Sequence, residues 1–132
     1  LATTPRPGRP VRGSSTGRPV MAALDLLGRR WTLRVVWELH ESGGPIGFRE
    51  LQRRCDGMSS SVLTGRLTEL REAGIAASDV PSGAAAWRLT PLGGELVAAM
   101  QPLLTWSHAW AAQLPDEDPA PGGQGQGANT SP

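Results

Sequence analysis

The chain contains no lysine; all 13 of its basic side chains are arginine. It has one cysteine, Cys55, and two histidines, His40 and His108. A lone cysteine excludes an internal disulfide framework and any cysteine-rich zinc site. The two histidines stand far apart and lack metal-ligand spacing, so neither a metal nor another cofactor is expected. No apolar run approaches the roughly 18 residues of a membrane-spanning helix, and residues 1–17 lack the apolar centre of a signal peptide. A soluble, cytoplasmic protein is the expectation. No Ser-His-Asp set, phosphate loop or pair of acids is placed to react, and both histidines fall inside predicted helices. Catalysis is therefore not expected.

What is present fits one domain in 132 residues. The net charge of +1 hides an asymmetry. Arg6, Arg9, Arg12 and Arg18 make the N-terminal arm basic, whereas Asp116, Glu117 and Asp118 make the C-terminal tail acidic. The stretch between them is balanced overall, but residues 29–71 are richer in Arg than in acid. Arginine suits bidentate contacts to phosphate and guanine; a GC-rich coding bias gives the same excess, and the two readings are compatible. Residues 1–17, with Pro5, Pro7 and Pro10, and residues 115–132, rich in Gly, Pro and Gln, carry too little apolar surface to offset the entropy of ordering. Both ends are expected to be disordered around a folded body over residues 18–114.

Within that body, Pro19 to Gly28 reads as a helix, with Pro in its first turn and Gly past its end. A second helix runs from about Trp31 to Glu41, where Leu33, Val36, Trp37 and His40 recur at three- and four-residue spacing. Ile46 to Phe48 lead into a short third helix, roughly Phe48 to Cys55, stopped by Asp56-Gly57. Ser59 is a good N-cap for a fourth helix and Gly74 a good C′ residue. Its Val62, Leu63, Leu67 and Leu70 share one side. Ser61, Thr64, Gly65, Thr68 and Glu72 share the other, with Arg66 and Arg71 at the borders. Two extended segments, Ile75–Val80 and Ala84–Leu89, flank Pro81-Ser82-Gly83. Thr90-Pro91 then opens a long helix reaching about Leu114, with a kink expected at Pro102. Its Leu92, Leu96, Met100, Leu103, Leu104, Trp106, Trp110 and Leu114 are more apolar surface than one small domain requires, so a second copy of the chain is the expected cover.

This order is that of a winged helix-turn-helix: mainly α, with a small two-stranded antiparallel wing and a long C-terminal dimerisation helix. The body resembles the HxlR-type winged helix regulators, relatives of the MarR group. The resemblance rests on Pro19-Val20, Ala23 to Leu33, Phe48-Arg49-Glu50-Leu51, Gly57-Met58-Ser59, Val62 to Leu67, Glu69-Leu70, Ala73-Gly74-Ile75, Arg88 to Gly93 and Trp106. The Gly-x-x-Trp-Thr and Leu-Thr-Pro-Leu-Gly blocks are specific together. The resemblance implies a homodimer joined through the first and last helices, here through Met21, Leu24, Leu96, Met100, Leu103, Trp106 and Trp110. It implies double-stranded DNA as partner: two recognition helices, residues 59–73, enter successive major grooves of an inverted-repeat operator. It also implies transcriptional regulation, often in response to aldehydes, quinones or oxidants, so a small-molecule effector is a candidate partner.

Departures from the family pattern bear on function. Many relatives carry a redox-sensing Cys just before the Pro-Val pair, where this chain has Arg18. Ser61 stands where a Lys or another large polar residue is usual, and Gly65 where Gln is usual. The wing is shorter, with no basic residue between Ile75 and Trp87. DNA contact is expected from Arg49, Arg53, Ser59, Ser60, Ser61, Thr64, Gly65, Arg66, Thr68 and Arg88, with Arg66 foremost unless it pairs with Glu69 or Glu50. Ser and Thr hydroxyls donate to phosphates or bases, and Thr methyls can touch thymine. Gly65 costs helix stability, which close backbone approach to DNA or simple drift would explain. Cys55 is read as a buried core thiol. The five Trp are mostly core and interface, with a Trp-lined effector pocket as the alternative. The Arg6-Pro7-Gly8-Arg9-Pro10 arm is either a plain tail or a flexible arm reaching DNA. The competing reading of the whole chain is a winged helix that binds protein partners with weak or lost DNA binding. The neutral body, the short wing and the small residues at 61 and 65 favour it.

Overall fold

The computed structural model describes residues 4–79 and 86–114. In chain order the elements are α1 (Pro19–Leu27), α2 (Thr32–Glu41), β1 (Ile46–Gly47), α3 (Phe48–Arg54), α4 (Ser60–Glu72), β2 (Ala76–Ser78), β3 (Ala86–Leu89) and α5 (Pro91–Gln113). The expected helices are all present, with ends within a residue or two of the expected ones. The chain divides into two compact units, Leu1–Ala99 and Met100–Pro132. The expected hairpin tip, Pro81-Ser82-Gly83, and the acidic tail lie outside the described residues.

The core of the first unit is built from the inner faces of α1 to α4 and the sheet. Leu26, Val35, Val36, Leu39, Leu51, Leu63, Leu67 and Leu70 are all buried. The inner row of α4 is therefore as expected. On α2 the buried face is rotated from the expected one: Thr32, Val35, Val36 and Leu39 go inward, while His40 is exposed. Thr32, Val35, Val36 and Leu39 form a second row at helical spacing, and this is the one that is buried. Trp31, at the N-cap, takes a left-handed backbone, φ 76°, a conformation that a bulky side chain rarely adopts. Trp37 packs beside His40, with ring centroids 5.4 Å apart.

The wing is antiparallel and holds three strands in the order β1-β3-β2. Ala76 faces Leu89 and Ser78 faces Trp87 in one pair; Ile46 faces Trp87 in the other. The third strand, β1, comes from the segment expected only to lead into α3. Two residues are too few to show a period of two, so pairing with β3 supplies its strand character. Trp87, on the central strand β3, is buried, and the Arg71 guanidinium lies 5.6 Å from its ring centroid.

The Leu-Thr-Pro-Leu-Gly block joins sheet to helix. Thr90 Oγ1 donates to the carbonyl of Gly74 at 2.6 Å and accepts from the Gly93 N–H at 3.1 Å. The Thr90 N–H donates to the Ile75 carbonyl at 2.9 Å. Gly93 must be small here: a Cβ would stand 2.3 Å from the Ile75 carbonyl oxygen. Pro91 follows at the start of α5, where no backbone donor is required.

Residues 4–17 depart from the expected disordered arm. Gly8 N–H donates to the Gly17 carbonyl at 2.9 Å, and Val11 and Ser14 form a two-residue bridge. Thr4 is buried and its hydroxyl donates to Glu72 Oε1 at 2.5 Å. The Arg12 N–H donates to Asp25 at 3.2 Å. Turns allowed by Gly8, Gly13 and Gly17, all at positive φ, give this segment contacts that its composition does not announce.

In the second unit the described residues are the rest of α5, which continues past Pro102. Leu103, Trp106, Trp110 and Leu114 are each 50–56% exposed, and the Trp106 and Trp110 rings stack with centroids 5.4 Å apart. No helix among the described residues is long and apolar enough to cross a membrane.

Candidate nucleic-acid interface

The α3–turn–α4 unit presents one helix outward on a tightly held turn. Asp56 and Gly57 both take positive φ, 61° and 71°, which reverses the chain in two residues; Asp tolerates this conformation better than most side chains. Gln52 then closes the turn. Its side-chain amide donates to the Met58 carbonyl at 2.9 Å and to Ser60 Oγ at 3.2 Å, and its backbone carbonyl accepts from the Gly57 N–H at 3.0 Å. Ser59 caps α4 as expected, its hydroxyl accepting from the Val62 N–H at 3.2 Å.

Along the outward face of α4, Ser60, Ser61 and Thr64 are exposed, and Gly65 and Thr68 are half-exposed. A Cβ built on Gly65 would meet nothing within 4 Å. No packing inside this chain therefore requires glycine there. The face is a shallow strip of hydroxyls with a bare backbone patch at its middle.

The arginines around this strip divide sharply. Arg66, expected as the foremost DNA contact, is turned into the protein instead. Its Nε lies 3.1 Å from Glu69 Oε1, its Nη2 donates to Glu69 Oε2 at 3.2 Å, and its Nη1 donates to the Arg30 carbonyl at 3.1 Å. Arg29 grips the same carboxylate at 2.6 Å. These side chains are only 14–22% exposed. One carboxylate held by two guanidiniums is a strong charge-assisted arrangement; it ties the Gly28-to-Trp31 turn to the middle of α4. Arg53 and Arg54 both pair with Glu50. Arg88 pairs with Asp79 across the wing at 2.8 Å. Arg34 bridges Glu38 at 2.9 Å, Asp56 at 3.3 Å and the Arg54 carbonyl at 2.7 Å, bracing the turn from the α2 side. Arg49 is exposed and has no side-chain partner among the described residues.

Two positioning residues were missed in the sequence, Gln52 and Arg29, whereas Glu69 was the named alternative partner of Arg66. Arg29 stands within the residues that carry the family resemblance, which was the available signal. Gln52 had none, because a glutamine on a short helix reads as surface.

Cys55 is fully buried. Burial first, then the Glu38 and Asp56 carboxylates, push its thiol above the ordinary range against the lowering effect of Arg34. It is the core thiol expected, without the depressed pKa of a reactive one. Among the described residues no cluster of three metal-binding side chains occurs.

The residues expected at a dimer interface also divide. Leu24, Leu103, Trp106 and Trp110 are exposed, but Met100 is buried and so has little surface to offer. Met21 is half-buried, with its terminal methyl against the arm at Gly13.

Against known proteins, the family model described as HxlR-like helix-turn-helix matches residues 26–115. No curated protein matches the chain. Among solved structures, the transcriptional regulator YodB from B. subtilis, in its reduced form, is 30% identical with a TM-score of 0.56, covering 73% of this chain and 92% of that one. A MarR family protein from Enterococcus faecalis V583 is 26% identical with a TM-score of 0.63, covering 78% of this chain and 94% of that one. A possible HxlR family transcriptional factor from Thermoplasma volcanium GSS1 shares the fold at 24% identity and a TM-score of 0.62, covering 71% and 85%. The winged helix architecture and the family match over most of the body agree: the chain belongs to the HxlR-like helix-turn-helix family of transcriptional regulators.

Proposed function

We propose that the protein is a homodimeric, sequence-specific DNA-binding regulator and not an enzyme. Its α4 lies in the major groove of an inverted-repeat operator. The observation that carries this is the outward strip of α4: exposed Ser60, Ser61 and Thr64, with open space over Gly65, on a helix clamped from behind by Gln52 and by the Arg29–Glu69–Arg66 set. Ser59 caps the helix while Ser60, Ser61, Thr64 and Thr68 meet bases and phosphates. Gly65 lets the DNA backbone or a base edge approach closely. Arg49 and Arg53 meet phosphates from α3, and Arg88 does so from the wing. Arg66 serves chiefly to hold the helix. Sequence-dependent DNA shape supplies part of the selectivity, because the strip has few long side chains.

The exposed Leu24 in the first unit and Leu103, Trp106 and Trp110 in the second supply the dimer surfaces. Two copies give the two half-sites. Arg18 occupies the position that carries a sensing Cys in many relatives, so regulation does not run through that thiol.

A second reading has a specific observation in its favour. Arg53, Arg66 and Arg88 are each neutralised by a neighbouring carboxylate, which suits a winged helix that binds protein with little affinity for DNA. A gel shift of the purified chain against its own upstream promoter region separates the two. Salt-sensitive retardation that an unrelated duplex does not compete supports the regulator; equal, weak retardation of both duplexes supports the protein-binding module.

A further inference from the structure

A second feature of the first unit lies beside α4. A recess of about 590 Å³ opens between the N-terminal arm, α1, the α1–α2 turn and α4, lined by Arg12, Leu24, Asp25, Gly28, Arg29, Arg30 and Arg66. Four arginines from three separate stretches of chain line it, with Asp25 as the single acidic lining residue. The Asp25 carboxylate already accepts from the Arg12 backbone N–H. Behind the wall Glu69 takes both Arg29 and Arg66. The side chains of Arg12 and Arg30 have no partner among the described residues. Gly28 leaves the floor without a side chain; a Cβ there would stand 2.8 Å from the Leu24 carbonyl oxygen.

We propose that this recess binds a small organic oxyanion, a carboxylate or a phosphate monoester. Converging like charges are costly in a partly enclosed site, where screening by water is reduced, and one bound anion relieves that cost. The guanidinium fork matches the two oxygens of a carboxylate or phosphate. The (CH2)3 stems of the lining arginines offer the apolar contact that a short chain or ring needs. The volume falls in the range of roughly 300–1,000 Å³ typical of small-ligand sites.

The site is placed to regulate. An anion held by Arg29 and Arg66 competes with Glu69 for the same guanidiniums, and Glu69 is how the turn holds α4. Ligand and DNA then bias the same helix, and each changes the other's affinity by the same factor. This coupling rests on the DNA-binding reading above; the anion binding itself does not.

The test is an NMR titration of the arginine Nε–H signals of the full chain, without DNA. Benzoate and phenyl phosphate are the probes, chloride holds the ionic strength constant, and benzamide is the neutral control. Saturable shifts at Arg12 and Arg30 are expected for at least one anion and not for benzamide. Arg12→Ala with Arg30→Ala weakens that binding by about tenfold or more, near 1.4 kcal/mol. Asp25→Asn, which keeps an oxygen for the Arg12 N–H and removes the charge, tightens it severalfold. Which probe saturates separates carboxylate from phosphate ester. Linear shifts matching chloride, or affinities indifferent to both variants, overturn the site. Saturation by a short DNA duplex alone also overturns it and makes the cluster a DNA phosphate contact. In a second arm, the saturating anion shifts operator affinity at constant ionic strength in the wild type and not in the Arg12/Arg30 variant. An unmoved affinity overturns the coupling. Because the titration needs no DNA, loss of DNA binding and loss of anion binding are told apart.

Discussion

Helices α4 and α5 carry apolar rows of similar character but meet different fates. On α4, Leu63, Leu67 and Leu70 are at most 1% exposed, and the outward strip is hydroxyl and bare backbone, with Arg71 and Glu72 exposed at its C-terminal end. On the part of α5 in the second unit, Leu103, Trp106 and Trp110 stay half-exposed, as does Leu114 just past its end, and the two Trp form a stacked pair. The first helix is finished within its own chain, so its outer face is free for a polar partner. The second is unfinished and requires an apolar one. On the proposed function, DNA meets the first demand and a second copy of the chain the second.

The contrast can be broken at either helix. The largest effect belongs to the finished row. Leu67→Ala should lower unfolding free energy by about 2–5 kcal/mol, read as a drop in denaturant midpoint. A loss below about 1 kcal/mol would mean that α4 does not anchor the core. Next comes the unfinished row. Trp106→Ala with Trp110→Ala should weaken dimerisation by roughly 2–4 kcal/mol, seen by sedimentation as monomer at concentrations where the wild type is dimeric. An unchanged association constant would place the interface elsewhere. Gly65→Ala should have opposite effects on two readouts. Helix propensity favours Ala by about 1 kcal/mol, and nothing within 4 Å resists the methyl, so the melting temperature should rise. Operator affinity should fall if DNA approaches the backbone there; if both rise together, drift explains the glycine. The smallest effect is at Cys55. Its folded pKa is raised, so the unfolded state loses its proton first. The thiol's contribution is fully present below the unfolded pKa of about 8.5 and declines as pH rises above it. A Cys55→Ala variant should flatten the alkaline fall in stability, and native Cys55 should react with a thiol reagent only on unfolding.

Much of α4 was legible in the sequence because its signals are local. Ser59 caps it, Gly74 ends it at φ 80°, and its leucines keep helical spacing. What the residues did not disclose depends on partners far along the chain. Arg66 was expected to face DNA, with Glu69 or Glu50 as the alternative partner; the Arg30 carbonyl, and Arg29 on the same Glu69 carboxylate, 36 or more residues earlier, settle it on Glu69. Thr4 meets Glu72 across 68 positions, and composition alone read that arm as tail. β1 is too short to show a period, and α2 carries two rows at helical spacing, of which Val35, Val36 and Leu39 belong to the buried one. Element identity followed from pattern; which arginines remain available for a partner followed only from the fold.

The central claim is that the outward strip of α4 touches DNA, and Ser61→Glu tests it most directly. An acid in the first turn favours the helix by about 0.3–1 kcal/mol but places negative charge against phosphates. Fluorescence anisotropy on the upstream operator duplex, with a thermal melt of the same sample, reads both effects. The account predicts an unchanged or raised melting temperature together with operator affinity lowered by about tenfold or more. Operator affinity equal to the wild type, in a protein that melts normally, would contradict it.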